Sequence, residues 1–334
     1  MRRGLFGFLL ALVAGCTSPV EPLADLAMPA EPLVWPRPPA VPRIEFLYGF
    51  REPNDLGIRA PFFERLWDTI AGEKNRQMLK PYAVAAQGGR IVVTDPGLGV
   101  VHLFDLEAKS YARFLQAGKE QLRSPVGAVF GSDRIYVSDS ALNKVFGFDF
   151  DGALALTIGG VERPTGLAYD PDSGRLFMAE TLGHRISVFD DAGQRLFSFG
   201  ERGEGAGQFN YPTHLSLRAG RLYVNDTMNF RLQIFDLDGR QVASFGRHGD
   251  GSGDFAQPKG LGVDNAGNVY VADAVFDRVQ IFGDDGTFLL AFGGTGGAPG
   301  EFWIPTGLFT TGDRIYVADS YNRRIQVFRF LEGG

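Results

Sequence analysis

Paired acids and bases recur along this 334-residue chain, and their side chains are of the types that perform general acid–base chemistry. In "DRIYVADSYNRRIQVF", residues 313–328, an acid ends one apolar segment and a base begins the next. The five such pairs are Asp139–Lys144, Glu180–Arg185, Asp226–Arg231, Asp273–Arg278 and Asp319–Arg324. Catalysis needs one constellation and not a series of near-copies, so we interpret the pairs as structural ion pairs across turns and assign no catalytic residue.

The histidines and the acids of one glycine-rich loop are the other candidates for chemistry, because both types can bind metal ions. His184 and His214 fall in segments expected to open on one face. We interpret them as hydrogen-bonded loop residues, with a shared metal site as the alternative. Asp250 and Asp254 lack the spacing of a calcium loop. We therefore predict no metal and no cofactor.

These residues are placed by a repeat that begins with a proline near 81, 125, 164, 212, 258 and 305, at spacings of 39 to 48 residues. Each unit contains short segments rich in Val, Ile, Phe and Tyr, separated by turns of Gly, Asp and Asn, which indicates strands. Four antiparallel strands in about 45 residues is typical of a β-propeller blade. The sequence thus predicts an all-β fold without crossover helices.

The repeated phrases, such as PTGLF at 305–309, RIYVADSYNRRIQVF and FGG, resemble those of NHL-repeat proteins, which implies a six-bladed propeller spanning 43–330. The last unit ends at Phe330 after its third strand. Residues 43–50, RIEFLYGF, look like a fourth strand and are predicted to close the last blade, which would remove a free edge. The insertion 51–80 is predicted to carry a short amphipathic helix at about 61–71.

The positions directly after the repeat prolines separate this chain from a related group of propellers. The amidating lyases, whose catalytic domain is a similar six-bladed propeller, place metal-binding histidines there. This chain has Tyr82, Val126, Thr165, Thr213, Lys259 and Thr306 at those positions. None of these is a histidine, which disfavours the zinc lyase. A metal-dependent lyase or hydrolase with an axial site, with His184, His214 and nearby carboxylates as ligands, is kept as the alternative function.

The N-terminus predicts export and anchoring. Residues 1–15 combine two arginines with an apolar stretch too short to span a membrane, which is typical of a signal peptide. The following Cys16 resembles the lipidated cysteine of bacterial lipoproteins, and the tether at 16–42 is rich in proline. Because Thr17 follows Cys16, the resemblance implies the cell envelope, with a lipid anchor in the outer membrane facing the periplasm or the cell surface.

Charge and loop composition suggest the kind of partner. The net charge of −6 without a basic cluster disfavours nucleic acid. The predicted loops between second and third strands carry apolar side chains, which favours a binding surface. We predict a membrane-anchored, non-enzymatic scaffold that binds an envelope protein or another envelope component through the face of these loops and the 61–71 helix. The resemblance also suggests an electron-transfer assembly as the setting. The proposed binding residues are Met228, Phe230, Phe276, Tyr321, Arg323, His184 and His214.

Overall fold

The computed structural model describes residues 31–59 and 76–331. The predicted signal peptide 1–15, Cys16, residues 17–30 of the tether and the predicted helix at 61–71 lie outside the described residues. Within the described ranges, the chain forms six antiparallel sheets of four or five strands, one for each blade of a propeller. No helix in the part of the chain that the structure describes is long and apolar enough to cross a membrane.

The strands follow one another in chain order. The N-terminal strands are β1 (Val34–Trp35) and β2 (Ile44–Phe50). Blade 1 contains β3 (Ala83–Gln87), β4 (Arg90–Asp95), β5 (Val100–Asp105) and β6 (Ser110–Phe114). A two-stranded hairpin, β7 (Gln116–Ala117) with β8 (Glu120–Gln121), leads to blade 2. Blade 2 contains β9 (Pro125–Phe130), β10 (Ile135–Asp139), β11 (Lys144–Phe148) and β12 (Leu154–Ile158).

Blades 3 to 6 repeat this order. Blade 3 contains β13 (Pro164–Asp170), β14 (Arg175–Glu180), β15 (Arg185–Phe189) and β16 (Arg195–Phe199). Blade 4 contains β17 (Pro212–Arg218), β18 (Arg221–Asp226), β19 (Arg231–Asp236) and β20 (Gln241–Phe245). Blade 5 contains β21 (Pro258–Val263), β22 (Val269–Asp273), β23 (Arg278–Phe282) and β24 (Phe288–Gly293). Blade 6 contains β25 (Pro305–Thr311), β26 (Arg314–Asp319) and β27 (Arg324–Phe330). The described residues also form 3-10 turns at Pro53–Leu56 and Thr227–Asn229.

The ring closes as predicted. Strand β2 pairs antiparallel with β27, from Ile44 opposite Phe330 to Phe50 opposite Ile325, and so supplies the fourth strand of blade 6. Strand β1 adds a fifth strand outside it. Phe46 of β2 is buried and its ring packs edge-on against Phe328 of β27, with 5.6 Å between centroids. Closure therefore joins the two ends of the propeller by both hydrogen bonds and apolar packing.

The hydrophobic core lies between the blades, because alternate residues of each strand face the neighbouring sheet. Six apolar clusters occupy the six interfaces between adjacent blades. Three connectors place a phenylalanine in their interface, namely Phe209, Phe255 and Phe302, and each of these rings is fully buried. The glycine-rich loops that carry them thus serve interblade packing.

The glycine that follows two residues after most repeat prolines is required by close packing around the axis. A Cβ at Gly166 would collide with the carbonyl oxygen of Thr213 in the next blade, and one at Gly307 would collide with that of Tyr82. Gly127 and Gly260 face the next blade in the same way. In four blades, the first strand therefore packs so closely against the next blade that this position has no room for a side chain.

Candidate functional site

The propeller has two faces, and the candidate residues lie at different places on them. We call the face with the second-to-third-strand turns and the interblade connectors the upper face. The lower face carries the first-to-second and third-to-fourth-strand turns. Each first strand runs from the upper to the lower face, so the repeat prolines lie at the upper end of the axis.

The acid at the end of each second strand fixes the connector that leads into its own blade. Asp95 accepts hydrogen bonds from the amides of Leu79 (2.6 Å) and Lys80 (3.1 Å), and Asp319 accepts one from Trp303 (2.8 Å). The same contact is made by Asp139, Glu180, Asp226 and Asp273, and all six carboxylates are fully buried. These acids satisfy backbone amides that would otherwise be buried without a partner.

Three of the five predicted bases contact their acids directly. The distances between nitrogen and carboxylate oxygen are 2.8 Å for Arg185–Glu180, 2.8 Å for Arg231–Asp226 and 2.7 Å for Arg324–Asp319. Arg231 and Arg324 also donate to connector carbonyls, which include those of Glu204 and Gly297. The pairs thus join strands, turn and connector and play a structural role.

Two predicted pairs are corrected by the structure. Lys144 does not bridge to Asp139, because its ammonium binds Glu120 of the extra hairpin at 2.6 Å. Arg278 does not bridge to Asp273, because its guanidinium lies over the ring of Phe276 (4.4 Å) and donates to the carbonyl of Gly251. Each base contacts another neighbour instead of the predicted acid, and the repeat pattern alone does not reveal that neighbour.

Blade 1 has a different partner for its acid, which the sequence reasoning missed. Val100 takes the place of the base, and buried His102 lies 3.7 Å from Asp95 through Nε2. Its Nδ1 lies 2.8 Å from the hydroxyl of Tyr111. Burial raises the pKa of Asp95, but His102 and the two amides more than offset this, so the pKa is lowered. The position of His102, two residues after Val100, was the signal available in the sequence.

The upper face carries a ring of exposed apolar side chains at one repeat position. Two residues after the buried acid, blades 3 to 6 have Leu182, Met228, Val275 and Tyr321, which are 49%, 51%, 60% and 46% exposed. We call these four residues the apolar ring. Leu182 was missed by the sequence reasoning, although its alignment with Met228 and Tyr321 could have revealed it.

The other predicted binding residues of the turns contribute less exposed surface. Phe230 is half-buried, with its ring centroid 4.4 Å from that of His248, and Phe276 is half-buried beneath Arg278. Arg323 is exposed and has a left-handed backbone, with φ of 57°. Next to Tyr321, exposed Trp303 extends the apolar surface, with 5.6 Å between the ring centroids.

His184 belongs to a turn and not to a shared site with His214. It is buried, and its Nδ1 lies 3.2 Å from the carbonyl oxygen of Phe209 and 3.3 Å from the amide nitrogen of Tyr211. Asn143 and Asp277, at the same repeat position, accept from the amides of Arg163 and Ile304. In blades 2, 3 and 5 this position therefore links the turn to the start of the next blade, and the imidazole of His184 makes this contact in blade 3.

His214 lies at the upper end of the axis. Its ring stacks on Tyr82 of blade 1 with 5.9 Å between centroids, and Lys259 Nζ lies 5.7 Å from the centre of the Tyr82 ring. Burial and the charge of Lys259 lower the pKa of His214 to about 3. Burial also lowers the pKa of Lys259, assisted by the nearby charge of Lys80. The imidazole is therefore neutral at physiological pH.

Below this stack, the axis contains a cavity of about 350 Å³, lined by the first strands of all six blades. His214 is at its upper end. Met228, Phe230, Phe276, Tyr321, Arg323 and His184 are not part of its lining. The axis and the upper-face turns are thus two separate candidate sites.

The described residues contain no group of three or more His, Cys, Asp or Glu side chains arranged to hold a metal ion. In the loop that the sequence raised for calcium, Asp254 is bound by Arg247 at 2.7 Å and by the amide of Gly251. Its carboxylate therefore stabilises the connector.

Comparison with known proteins agrees with this architecture. Residues 213–278 match a family described as a 6-bladed beta-propeller, and residues 302–328 match the NHL repeat. The comparison with curated proteins gave no match. The fold and these matches define the chain as a six-bladed β-propeller. The match at residues 302–328 agrees with the resemblance to the NHL repeat seen in the sequence.

Solved structures with the same fold have diverse descriptions. Virginiamycin B lyase from Staphylococcus aureus is 13% identical, with a TM-score of 0.58 over 86% of this chain and 100% of its own. A protein of unknown function from Bacteroides thetaiotaomicron is 15% identical, with a TM-score of 0.59 over 76% and 70%. Kuenenia stuttgartiensis hydrazine synthase is 12% identical, with a TM-score of 0.55 over 75% and 96%. Similarity at this level shows the fold alone, because one fold hosts many functions.

Proposed function

We propose that this propeller is a non-enzymatic scaffold of the cell envelope, held at a membrane through Cys16, that binds a partner protein through its upper face. The observation that carries the proposal is the apolar ring of Leu182, Met228, Val275 and Tyr321. Four consecutive blades place an exposed apolar side chain at the same repeat position of the upper face.

The surroundings of the ring support a protein partner. Trp303 and Tyr321 lie side by side on the same face, and Trp and Tyr are the residue types most enriched at the energetic centres of interfaces. Lys80 lies over the ring of Tyr321 at 5.3 Å and supplies a charged rim. Together these residues provide an apolar centre with polar surroundings, which is the usual composition of a binding surface.

The membrane anchor and the envelope location rest on the N-terminal sequence. The anchor would be followed by the proline-rich tether, which would hold the propeller away from the lipid surface. The helix predicted at 61–71 stays a prediction from its sequence pattern. An electron-transfer assembly is one setting in which such a scaffold could serve, and a partner's identity would decide it.

The test compares two triple variants of the full chain as bait for crosslinking and mass spectrometry in intact cells. Met228→Gln, Val275→Gln and Tyr321→Gln together replace three of the four side chains of the apolar ring. The matched control replaces apolar residues on outer strands with nearly equal exposure (48%, 52% and 52%), namely Leu196→Gln, Val242→Gln and Leu289→Gln.

We expect a partner enriched by the native chain to be lost with the upper-face variant, because losing one central apolar anchor costs about tenfold or more in affinity. The same partner should be retained by the outer-strand control. Equal capture by all three proteins would exclude the upper face as the binding surface. Labelling with a fatty-acid probe, compared between the native chain and Cys16→Ser, tests the anchor separately.

A further inference from the structure

The axial cavity is a chemically distinct site on the opposite side of the molecule. Its exposed lining residues belong to the first-to-second-strand turns of the lower face and include Gln87, Ser132, Pro171, Arg218 and Thr311. At the other end, Tyr82 of blade 1 and His214 of blade 4 come from opposite blades and stack across the axis. The cavity is therefore open below and closed above.

Blade 4 departs from the repeat at the closed end. Blades 2, 3, 5 and 6 have glycine two residues after the proline because the next blade leaves no room for a side chain. Blade 4 has His214 at this position, and its ring reaches into the axis. A large polar residue where packing selects glycine indicates that this strand serves a purpose other than packing.

The departure continues along the same strand. His214, Ser216 and Arg218 alternate along β17, so they share one side of the strand, and all three line the cavity. Four residues of strand cover about 13 Å, which sets the length of this polar strip from the closed end to the mouth. Much of the remaining wall is apolar, with residues such as Ala86, Leu167 and Leu308.

The charged residues of the cavity lining indicate that its ligand is an anion. Although acids outnumber bases in the chain, 39 to 33, no Asp or Glu is among the lining residues and Arg218 is its one charged side chain at neutral pH. Arg218 takes part in none of the ion pairs found among the described residues. Lys259 adds positive charge near the closed end. A cation would therefore find no counter-charge in the cavity, whereas an anion would find Arg218.

We propose that the axial cavity binds a small organic carboxylate, with its apolar body between the first strands and its carboxylate at Arg218. A guanidinium can donate two parallel hydrogen bonds to a carboxylate, which fixes the orientation of the ligand. A volume of about 350 Å³ is within the range of small-molecule sites. His214 and Ser216 offer hydrogen-bonding groups to the inner part of the ligand. This site is on the lower side and does not depend on partner binding by the upper face.

The test is isothermal titration of the purified chain with three acids, benzoate, phenylacetate and octanoate. The matched uncharged ligands are the three corresponding amides. The variant Arg218→Gln removes the positive charge at an exposed position. Its control is Arg240→Gln, which makes the same change in the same blade and on the same face but outside the cavity lining.

We expect at least one acid to bind at a single site, at least tenfold more tightly than its amide, because a hydrogen-bonded charge contributes about one to two orders of magnitude in affinity. Arg218→Gln should remove that preference, and Arg240→Gln should change the affinity less than twofold. The proposal is overturned if no acid binds, if acid and amide bind equally, or if the two variants behave alike. The comparison of acid and amide uses the native chain, so it holds even if a variant fails to fold.

Discussion

Replacing Arg324 by methionine should destabilise the propeller more than any comparable change in the other blades. Its guanidinium is 1% exposed, and Nε donates to Asp319 at 2.7 Å. The two terminal nitrogens donate to the carbonyls of Gly297, Ala298 and Glu301, at 2.8 to 2.9 Å. Arg324→Met would leave a buried carboxylate without its cation and the carbonyl of Gly297 without its donor. The carbonyls of Ala298 and Glu301 would each lose one of two donors, because they also accept from Glu301 N and Gln326 Nε2.

The expected loss in the free energy of unfolding is about 3–5 kcal/mol, the usual cost of removing one partner of a buried ion pair. Arg231 provides a matched control, because it makes the same kinds of contact to Asp226 and to its own connector. Its side chain is 17% exposed, so water can partly replace the lost contacts. We expect Arg231→Met to cost about 1–3 kcal/mol.

The loss should also depend on pH. Burial raises the pKa of Asp319, and the charge of Arg324 opposes that rise. Removing Arg324 therefore raises this pKa further above the unfolded value of about 4. A carboxyl whose pKa is higher in the folded state binds more protons there, so stability increases as the pH falls through that range. The deficit of Arg324→Met should be largest near pH 7.5 and should shrink towards pH 5.

Urea unfolding followed by circular dichroism, at pH 7.5 and pH 5, measures both effects. The double variant Asp319→Asn with Arg324→Met removes the buried charge and should recover part of the loss at pH 7.5. The reasoning is refuted if Arg324→Met costs less than about 1 kcal/mol, the value of an exposed pair. It is also refuted if the loss is the same at both pH values.

Two further outcomes test the packing at the axis and at the closing strand. Gly166→Ala should lower the free energy of unfolding by about 1–3 kcal/mol, because the new Cβ collides with the carbonyl oxygen of Thr213. In the control Gly159→Ala, the new Cβ meets no atom within 4 Å. This variant should leave the urea midpoint nearly unchanged. Phe46→Ala should cost about 3–5 kcal/mol in the same assay, because its buried ring joins β2 to β27, and a loss below about 1 kcal/mol would show that closure adds little stability.

The propeller fold could be predicted from the sequence because each blade repeats the same sequence pattern. Repeat prolines, strand composition and turn residues recur at one spacing, and the incomplete last unit indicated that 43–50 should pair with the end of the chain. Strand β2 opposite β27 confirms this closure. Without a fourth strand, the third strand of the last blade would have unpaired N–H and C=O groups along its edge. The position of the missing strand therefore follows from counting the strands of each repeat.

The partners of the turn residues could not be predicted, because the repeat does not show which of several neighbouring groups a side chain will contact. Lys144 binds Glu120, which lies in a hairpin that other blades lack. Arg278 stacks on Phe276, which removes it from Asp273. His184 was considered as a metal ligand, yet its Nδ1 lies within hydrogen-bond distance of the backbone of Phe209 and Tyr211 in the next connector.

The axis shows how a repeat can indicate function through its exceptions. Where packing selects glycine in four blades, blade 4 has His214 instead. The same strand then places Ser216 and Arg218 along the cavity, in a lining without carboxylates. Positions that follow the repeat have a structural role. The six buried acids, for example, hold the connectors between blades. Strand β17 departs from the repeat on the side that faces the axis, so the axial cavity is one place to look for function. The apolar ring on the upper face is the other, because the repeat fixes the position of its residues but not their types.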